Sequence, residues 1–226
     1  LVLAMLEQNP DCRLFAVGDD WQSIYRFTGS DIGIMAKFAS HFGVTATNYL
    51  TWTFRSNQGI TDVAATFVQA NPSQLKKTVR AVDKTKDATI QILEYGKDED
   101  SEEVLAAEIE ALAGIAKTEQ RILRVFLLGR YNHLRPGSLA SWRKRHSGAL
   151  DIQFLSLHRS KGLEADFVFL LGVNSGPYSF PSEIVDDPLL DLVLPVPEAF
   201  EYSEERRLFY VGLTRAKRRT YVLTKK

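Results

Sequence analysis

DIQFLSLHRSKGLEADFVFLLGV, residues 151–173, is the stretch whose reading decides the fold. It holds two apolar runs of strand length, DIQFLSLH (151–158) and DFVFLLGV (166–173), joined by a short polar loop. Runs apolar at nearly every position need cover on both faces, which is the situation of strands inside a parallel sheet. Working outward, RVFLLGR (124–130), TIQILEY (89–95) and RTYVLTK (219–225) are runs of the same kind. Helical patterning lies between them, at 57–70, in VLAAEIEALAGIA (104–116) and in the stretch beginning at Glu204. The carboxylates of DEDSEE (98–103) suit a helix amino terminus, and a solvated charged face gives the same pattern. Strands interleaved with helices give an α/β fold with a largely parallel sheet.

Upstream, RLFAVGDD (13–20) reads as a buried strand with a polar loop at its carboxyl end, where ligands sit in open α/β sheets. Residues 31–42 read as a short helix, and TNYLTWTFR (47–55), which is β-rich and alternating, as a further strand. Five of the eight prolines fall in 175–201, a stretch of little periodicity read as a long ordered loop or a linker.

Composition is that of a soluble globular chain of one or two domains: 226 residues, 45% hydrophobic, 25% charged. Lys+Arg and Asp+Glu each total 28, so any contact with nucleic acid rests on a local patch and not on a global field. One cysteine, Cys12, excludes an internal disulfide and a cysteine-cluster zinc site, and agrees with a reducing compartment. The histidines at 41, 133, 146 and 158 have no ligand spacing, so no metal is expected to be held by this chain alone. The longest apolar run, FVFLLGV (167–173), falls far short of the ~20 residues a membrane span needs. The expectation is a cytoplasmic protein with no membrane association. The chain starts without methionine in a helical pattern, which predicts that it is part of something longer.

Neither G-x-x-x-x-G-K-[ST] nor G-x-G-x-x-G occurs, so the chain has no loop of its own to cradle a triphosphate. Four segments nevertheless carry phosphate chemistry. VGDDWQSIY (17–25) places Gln22 after a strand end, TFRS (53–56) places Arg55 beside an aromatic, SLHRSKGLE (156–164) carries His158, Lys161, Gly162 and Glu164, and EERRLFYVGLTRAK (204–217) carries Arg215. On a helical period Glu204, Leu208, Val211 and Arg215 share one stripe, so a guanidinium ends a core-facing row. A buried guanidinium needs an anion. For Arg215 that is a phosphate or, in a purely structural bridge, Glu204 or Glu205. Tyr25 and Phe27 read either as core rings or as stacking surfaces. WRKRH (142–146) reads as a solvated helix face or a phosphate-contacting patch.

These segments resemble the superfamily 1 DNA helicases of the UvrD/Rep/PcrA type, and most closely the helicase IV branch. GDDWQSIYRFTGSD (18–31) is similar to the third family motif, TFRS (53–56) to the fourth, LSLHRSKGLEADFVFLLGV (155–173) to the fifth and EERRLFYVGLTRAK (204–217) to the sixth. Short patterns recur by chance, and it is the four in order across nearly the whole chain that make the resemblance specific.

The resemblance implies a RecA-like fold of the P-loop NTPase kind, without its P-loop. Residues 1–45 match the tail of the first RecA-like domain and 46–226 the second, with no large accessory insertion. It implies that Gln22 senses the γ-phosphate and that Arg55 and Arg215 act as arginine fingers on it. Phe54, where relatives commonly have tyrosine, stacks on adenine, Lys161 and Gly162 belong to the nucleotide-binding loop, and Glu164 meets the ribose. Tyr25, Arg26, Phe27 and His158 face single-stranded DNA; where relatives show Gly-Trp-Arg this chain has Arg26, Phe27 and Thr28. The implied partners are single-stranded and duplex DNA, ATP with Mg held by ligands outside this segment, and the missing N-terminal RecA-like domain. The implied activity is ATP-dependent 3′–5′ unwinding, with this piece alone inactive. The rival readings are a stand-alone nucleic-acid-binding or interaction module, and the motor of a nuclease-coupled recombination helicase.

Overall fold

The computed structural model describes every residue except 10, 88, 97–99, 185, 186 and 197, and only the backbone of 188 and 191. Asp98 and Glu99 of the acidic run therefore lie outside the described residues.

The chain opens with helices α1 (Val2–Gln8), α2 (Ile32–Ala36) and α3 (Phe38–Phe42). Strand β1 (Trp52–Thr53), helix α4 (Gln58–Val68) and strand β2 (Arg80–Ala81) follow. Then come β3 (Ile90–Tyr95), α5 (Ser101–Glu119), β4 (Leu123–Gly129), α6 (Leu139–Arg145), β5 (Leu150–Ser156), β6 (Ala165–Leu171), α7 (Ser203–Leu213) and β7 (Ala216–Lys225). Five strands form one sheet in the order β3-β7-β6-β4-β5, every neighbouring pair parallel. The expected α/β class and parallel sheet are therefore observed.

The continuous apolar runs are explained by the two faces they serve. Val125 and Leu127 of β4 join Phe167 and Phe169 of β6 under α5 and α6. The alternate residues Phe126, Leu128, Val168 and Leu170 join Leu208 and Val211 of α7 and Ile60 and Ala64 of α4 on the other face. Side chains along a strand point alternately to the two sides, so a strand covered on both is apolar throughout.

Local signals set the helix ends. Asn57 caps α4, its side-chain oxygen accepting from the Ile60 amide at 3.0 Å. Asp100 caps α5 by accepting from the Glu102 amide at 2.9 Å, with Glu102 and Glu103 in the first turn, where the helix dipole favours carboxylates. Near the end of α7 a β-carbon on Gly212 would lie 2.7 Å from Leu157 Cδ2 and 2.8 Å from Leu170 Cδ2, so glycine lets the helix close on the sheet there without shifting two core leucines.

Three sequence expectations are corrected. The run 13–20 is not a buried strand: it joins no ladder among the described residues, and Phe15 is 90% exposed. A strand needs hydrogen-bonding neighbours as well as apolar side chains, and no described strand lies beside it. In 47–55 only Trp52 and Thr53 pair, with Arg80 and Ala81, in a separate two-stranded sheet. Residues 31–42 form two short helices meeting at Lys37, not one. The stretch 175–201 is loop among its described residues, with a single 3-10 turn at Pro188–Leu192.

Candidate functional site

β5 and β6 flank β4 on opposite sides, both parallel to it. The residues between them, 157–164, therefore run from the carboxyl end of β5 to the amino end of β6. Leu157 is buried in the core shared with α7, and a 3-10 turn covers His158–Ser160. Gly162 then takes φ 87, a left-handed conformation that glycine adopts without a β-carbon penalty. His158 and Glu164 consequently stand at opposite ends of one segment, and each gathers a different set of side chains.

At the amino end of β6 and β7 the cations collect. Arg215 is 1% exposed. It lies beyond the last turn of α7, not on the helical stripe read from the sequence, and its guanidinium folds back. Nε donates to the Val211 carbonyl at 2.9 Å, Nη1 to the Leu163 carbonyl at 3.3 Å and Nη2 to Thr214 Oγ1 at 3.2 Å. All three acceptors are neutral, and among the described residues no carboxylate forms an ion pair with it. The glutamates that offered a structural bridge are engaged elsewhere: Glu205 pairs with Arg130 at 2.9 Å and Glu204 accepts from the Arg26 amide at 3.0 Å. Burial first, then the charge of Arg55, lower the Arg215 pKa to about 10, so it stays protonated near neutrality.

Arg55 approaches the same place from the loop before α4. Its Nε lies 3.5 Å from Glu164 Oε2 but has no hydrogen-bond partner, although buried. Glu164 Oε1 pairs with Lys217 Nζ at 2.5 Å. That hydrogen bond, the largest effect, acts with the charges of Lys217 and Arg55 to hold Glu164 below the usual carboxylate range, against burial, which pushes the other way. The Phe54 ring beside Arg55 is 83% exposed. Two segments are bolted together here: Ser56 Oγ donates to the Thr214 carbonyl at 3.2 Å, and Asn57 Nδ2 to the carbonyls of Lys217 at 3.3 Å and Arg218 at 2.8 Å.

At the carboxyl end of β5 the rings collect. Tyr25, Phe27 and His158 stand mutually 5.8 Å apart, centroid to centroid. The Tyr25 hydroxyl donates to the His158 carbonyl at 3.2 Å, whereas Phe27 is 58% exposed. Phe27 is thus a surface ring, while Tyr25 is half-buried and packs against the core that holds Leu157. Burial, with Arg130 nearby, lowers the His158 pKa to about 4, so the ring is neutral at pH 7. Lys161 belongs to this end: its Nζ donates to the Gln22 carbonyl at 3.0 Å and sits 5.0 Å from the Tyr25 ring centroid. The described contacts of the Lys161 ammonium are thus with the Gln22 backbone and the Tyr25 ring.

Between the two ends lies the turn Asp20–Gln22. Lys77 bridges Asp19 at 2.6 Å and Asp20 at 2.8 Å, and the buried Trp21 donates to the Leu75 carbonyl at 3.0 Å. Gln22 Nε2 donates to Asp19 Oδ2 at 2.5 Å. Arg26 Nε donates to the Pro195 carbonyl at 3.0 Å, and the buried Arg207 holds the Ser23 carbonyl and Glu198. Lys77, Arg130, Arg207 and Lys217 were not singled out by sequence reading. Only Lys217, two residues after Arg215, and Arg130, ending an apolar run, carried a local signal. Of WRKRH, Trp142 is core, Arg143 binds the Ile152 carbonyl and Arg145 pairs with Glu110, which makes it a structural helix end.

The guanidiniums of Arg55 and Arg215 have the chemistry to receive a polyanion. Arg55 has an orphaned buried donor and Arg215 only neutral acceptors. Among the described residues no group of three His, Cys, Asp or Glu could hold a metal. No described helix is long and apolar enough to cross a membrane.

Comparison with known proteins finds two family models. The UvrD/REP helicase N-terminal domain matches residues 1–43 and the UvrD-like helicase C-terminal domain matches 133–226. DNA helicase IV of Escherichia coli K12 is 39% identical over 226 residues, covering 100% of this chain and 31% of that protein. ATP-dependent DNA helicase PcrA of Bacillus subtilis 168 is 34% identical over 85 residues, 37% of this chain and 10% of that protein. The chain thus spans a third or less of the length of these curated relatives. A crystal structure of the C-terminal domain of a possible DNA helicase from Lactobacillus plantarum WCFS1 aligns with TM-score 0.38 and 15% identity. That alignment covers 76% of this chain and 87% of that one, a likeness too loose to support an argument.

Proposed function

From the premise that this chain is of the UvrD-like helicase family, we propose that it is the C-terminal part of an ATP-dependent DNA helicase moving 3′ to 5′ on single strands. Residues 1–45 are then the tail of a first RecA-like domain, and 46–226 the second. The apolar run 14–17, exposed at Leu14, Phe15 and Val17, supports this division, because it has the character of a strand whose sheet neighbours belong to another body. The matched ranges 1–43 and 133–226 support it too.

The observation that carries the reading is Arg215: a fully buried, protonated guanidinium held by neutral acceptors beside a second arginine with an unsatisfied donor. Two guanidiniums gathered near Glu164, a carboxylate that Lys217 also holds, leave an excess of positive charge that an entering anion offsets. In this reading ATP, with Mg held by residues of the other domain, supplies that anion. Arg215 and Arg55 then stabilise the charge that develops on the transferred phosphoryl group, Gln22 and Glu164 orient water and ribose, and Phe54 stacks on adenine. Tyr25, Phe27 and His158, with Arg26 and Lys161 beside them, form part of the single-strand track. The segment by itself, lacking a P-loop, neither hydrolyses ATP nor unwinds duplex DNA.

The test is Arg215→Ala in the full-length protein. Turnover should fall by roughly 10³, about 4 kcal/mol of transition-state stabilisation, while ATP and DNA affinities change far less. Wild-type kcat in that variant removes the finger assignment.

A further inference from the structure

We propose that Lys217 is a specificity-determining residue of the nucleotide site: it holds Glu164 in place as the acceptor for ribose hydroxyls. The inference rests on the nucleotide reading above and goes beyond it, since neither the sequence motifs nor the comparisons give Lys217 a role.

Glu164 is gripped from both sides, Oε1 by Lys217 at 2.5 Å and Oε2 by Arg55 at 3.5 Å. The two grips differ in permanence. Arg55 Nε faces the carboxylate without a hydrogen bond, so a phosphate arriving at Arg55 displaces a weak contact. Once Arg55 turns to phosphate, Glu164 stands beside a polyanion with one cation left, and that cation is Lys217. Without it the carboxylate is repelled from the site that it must line.

The backbone keeps Lys217 where this task needs it. Asn57 binds the Lys217 and Arg218 carbonyls and Ser56 binds the Thr214 carbonyl, so the loop bearing Phe54 and Arg55, the turn bearing Arg215 and the start of β7 bearing Lys217 form one unit. Within it an exposed ring, a pinned carboxylate and two guanidiniums stand side by side, matching a base, a pair of hydroxyls and a phosphate chain. The Lys217 and Glu164 side chains are 45% and 43% exposed. An ion pair this open adds little to stability, so its loss can be read at the site rather than in the fold.

The experiment uses the full-length protein with single-stranded DNA, comparing Lys217→Met, which keeps the aliphatic stem, and Lys217→Arg. Steady-state hydrolysis is measured with ATP, 2′-deoxy-ATP and 3′-deoxy-ATP. Lys217→Met is expected to raise KM for ATP roughly three- to tenfold, with a smaller change in kcat and an unchanged Tm. The preference for ATP over whichever deoxy analogue the wild type disfavours should shrink toward one, and Lys217→Arg should restore it. Unchanged KM and unchanged preference in Lys217→Met overturn the proposal, as does a fall in kcat alone. A wild-type protein that hydrolyses no ATP fails the helicase reading itself, a result distinct from either of those.

Discussion

The two ends of the segment 157–164 are built from opposite materials. At His158 there are rings and an imidazole kept neutral, with a phenylalanine turned to solvent. At Glu164 there are two guanidiniums and a lysine around one carboxylate. Rings bind planar bases of any sequence through their faces, whereas guanidiniums recognise charge and geometry. α7 touches both: Glu204 and Glu205 in its first turn hold the Arg26 amide and Arg130, and the Val211 carbonyl in its last turn holds Arg215. The difference teaches that one short segment and one helix can hold two chemistries side by side, each built from its own set of side chains.

That contrast breaks most readily at Phe27. Phe27→Ala removes an exposed ring without opening the core, so the folded chain should persist. Affinity of the full-length protein for oligo-dT should fall roughly 10- to 100-fold, the effect of about 1–3 kcal/mol for one stacked base, with KM for ATP within about twofold of wild type. Fluorescence anisotropy and ATPase assays read the two quantities separately. Equal losses in both would merge the two ends into one site.

How far this was legible in the sequence is shown by two similar runs. RLFAVGDD (13–20) and RVFLLGR (124–130) have nearly the same pattern, yet the first is exposed over 13–18 and joins no described strand while the second is the strand between β5 and β6. Periodicity states a demand for burial; whether partners exist to meet it is a property of the whole fold. The buried strands were legible because covered strands are apolar throughout. The site was legible in part: Arg55, Glu164 and Arg215 do come together, as do Tyr25, Phe27 and His158. The position of Lys161 at the ring end was not legible, because it depends on Gly162 turning the loop between two strands that are not neighbours. Nor were the pairings of Lys77 and Lys217, whose partners lie 58 and 53 residues away in sequence.

The ring end is sharpened by pH. His158 has its pKa lowered by burial and by Arg130 to about 4 in the folded state, against 6.5 when free, while a hydrogen bond with the Ile24 backbone opposes the shift. Between those values the unfolded chain binds a proton that the folded chain refuses. Stability is therefore undiminished by this group above about pH 6.5 and falls as pH drops toward 4, by about 1–2 kcal/mol after allowance for solvent at a partly exposed ring. Urea titrations of the chain at pH 7, 5.5 and 4.5 should show this slope, and His158→Gln should flatten it. An identical slope in the variant would assign the acid sensitivity to carboxylates elsewhere.

The smallest effect is expected at Phe54, and it sharpens the cation end. The ring is 83% exposed, so exchanging it for tyrosine buries no new polar group and leaves no cavity; stability should stay within about 0.5 kcal/mol. A ring that acts through its face gains nothing from a hydroxyl on its edge, so KM for ATP in Phe54→Tyr should remain within about threefold of wild type. Phe54→Ala, which removes the face, should raise KM several times more than the tyrosine does. A tyrosine variant that binds ATP tenfold tighter would mean that the ring edge meets a hydrogen-bonding group in the closed site. Phe54 would then be a fitted side chain of the pocket wall and not a free stacking plate.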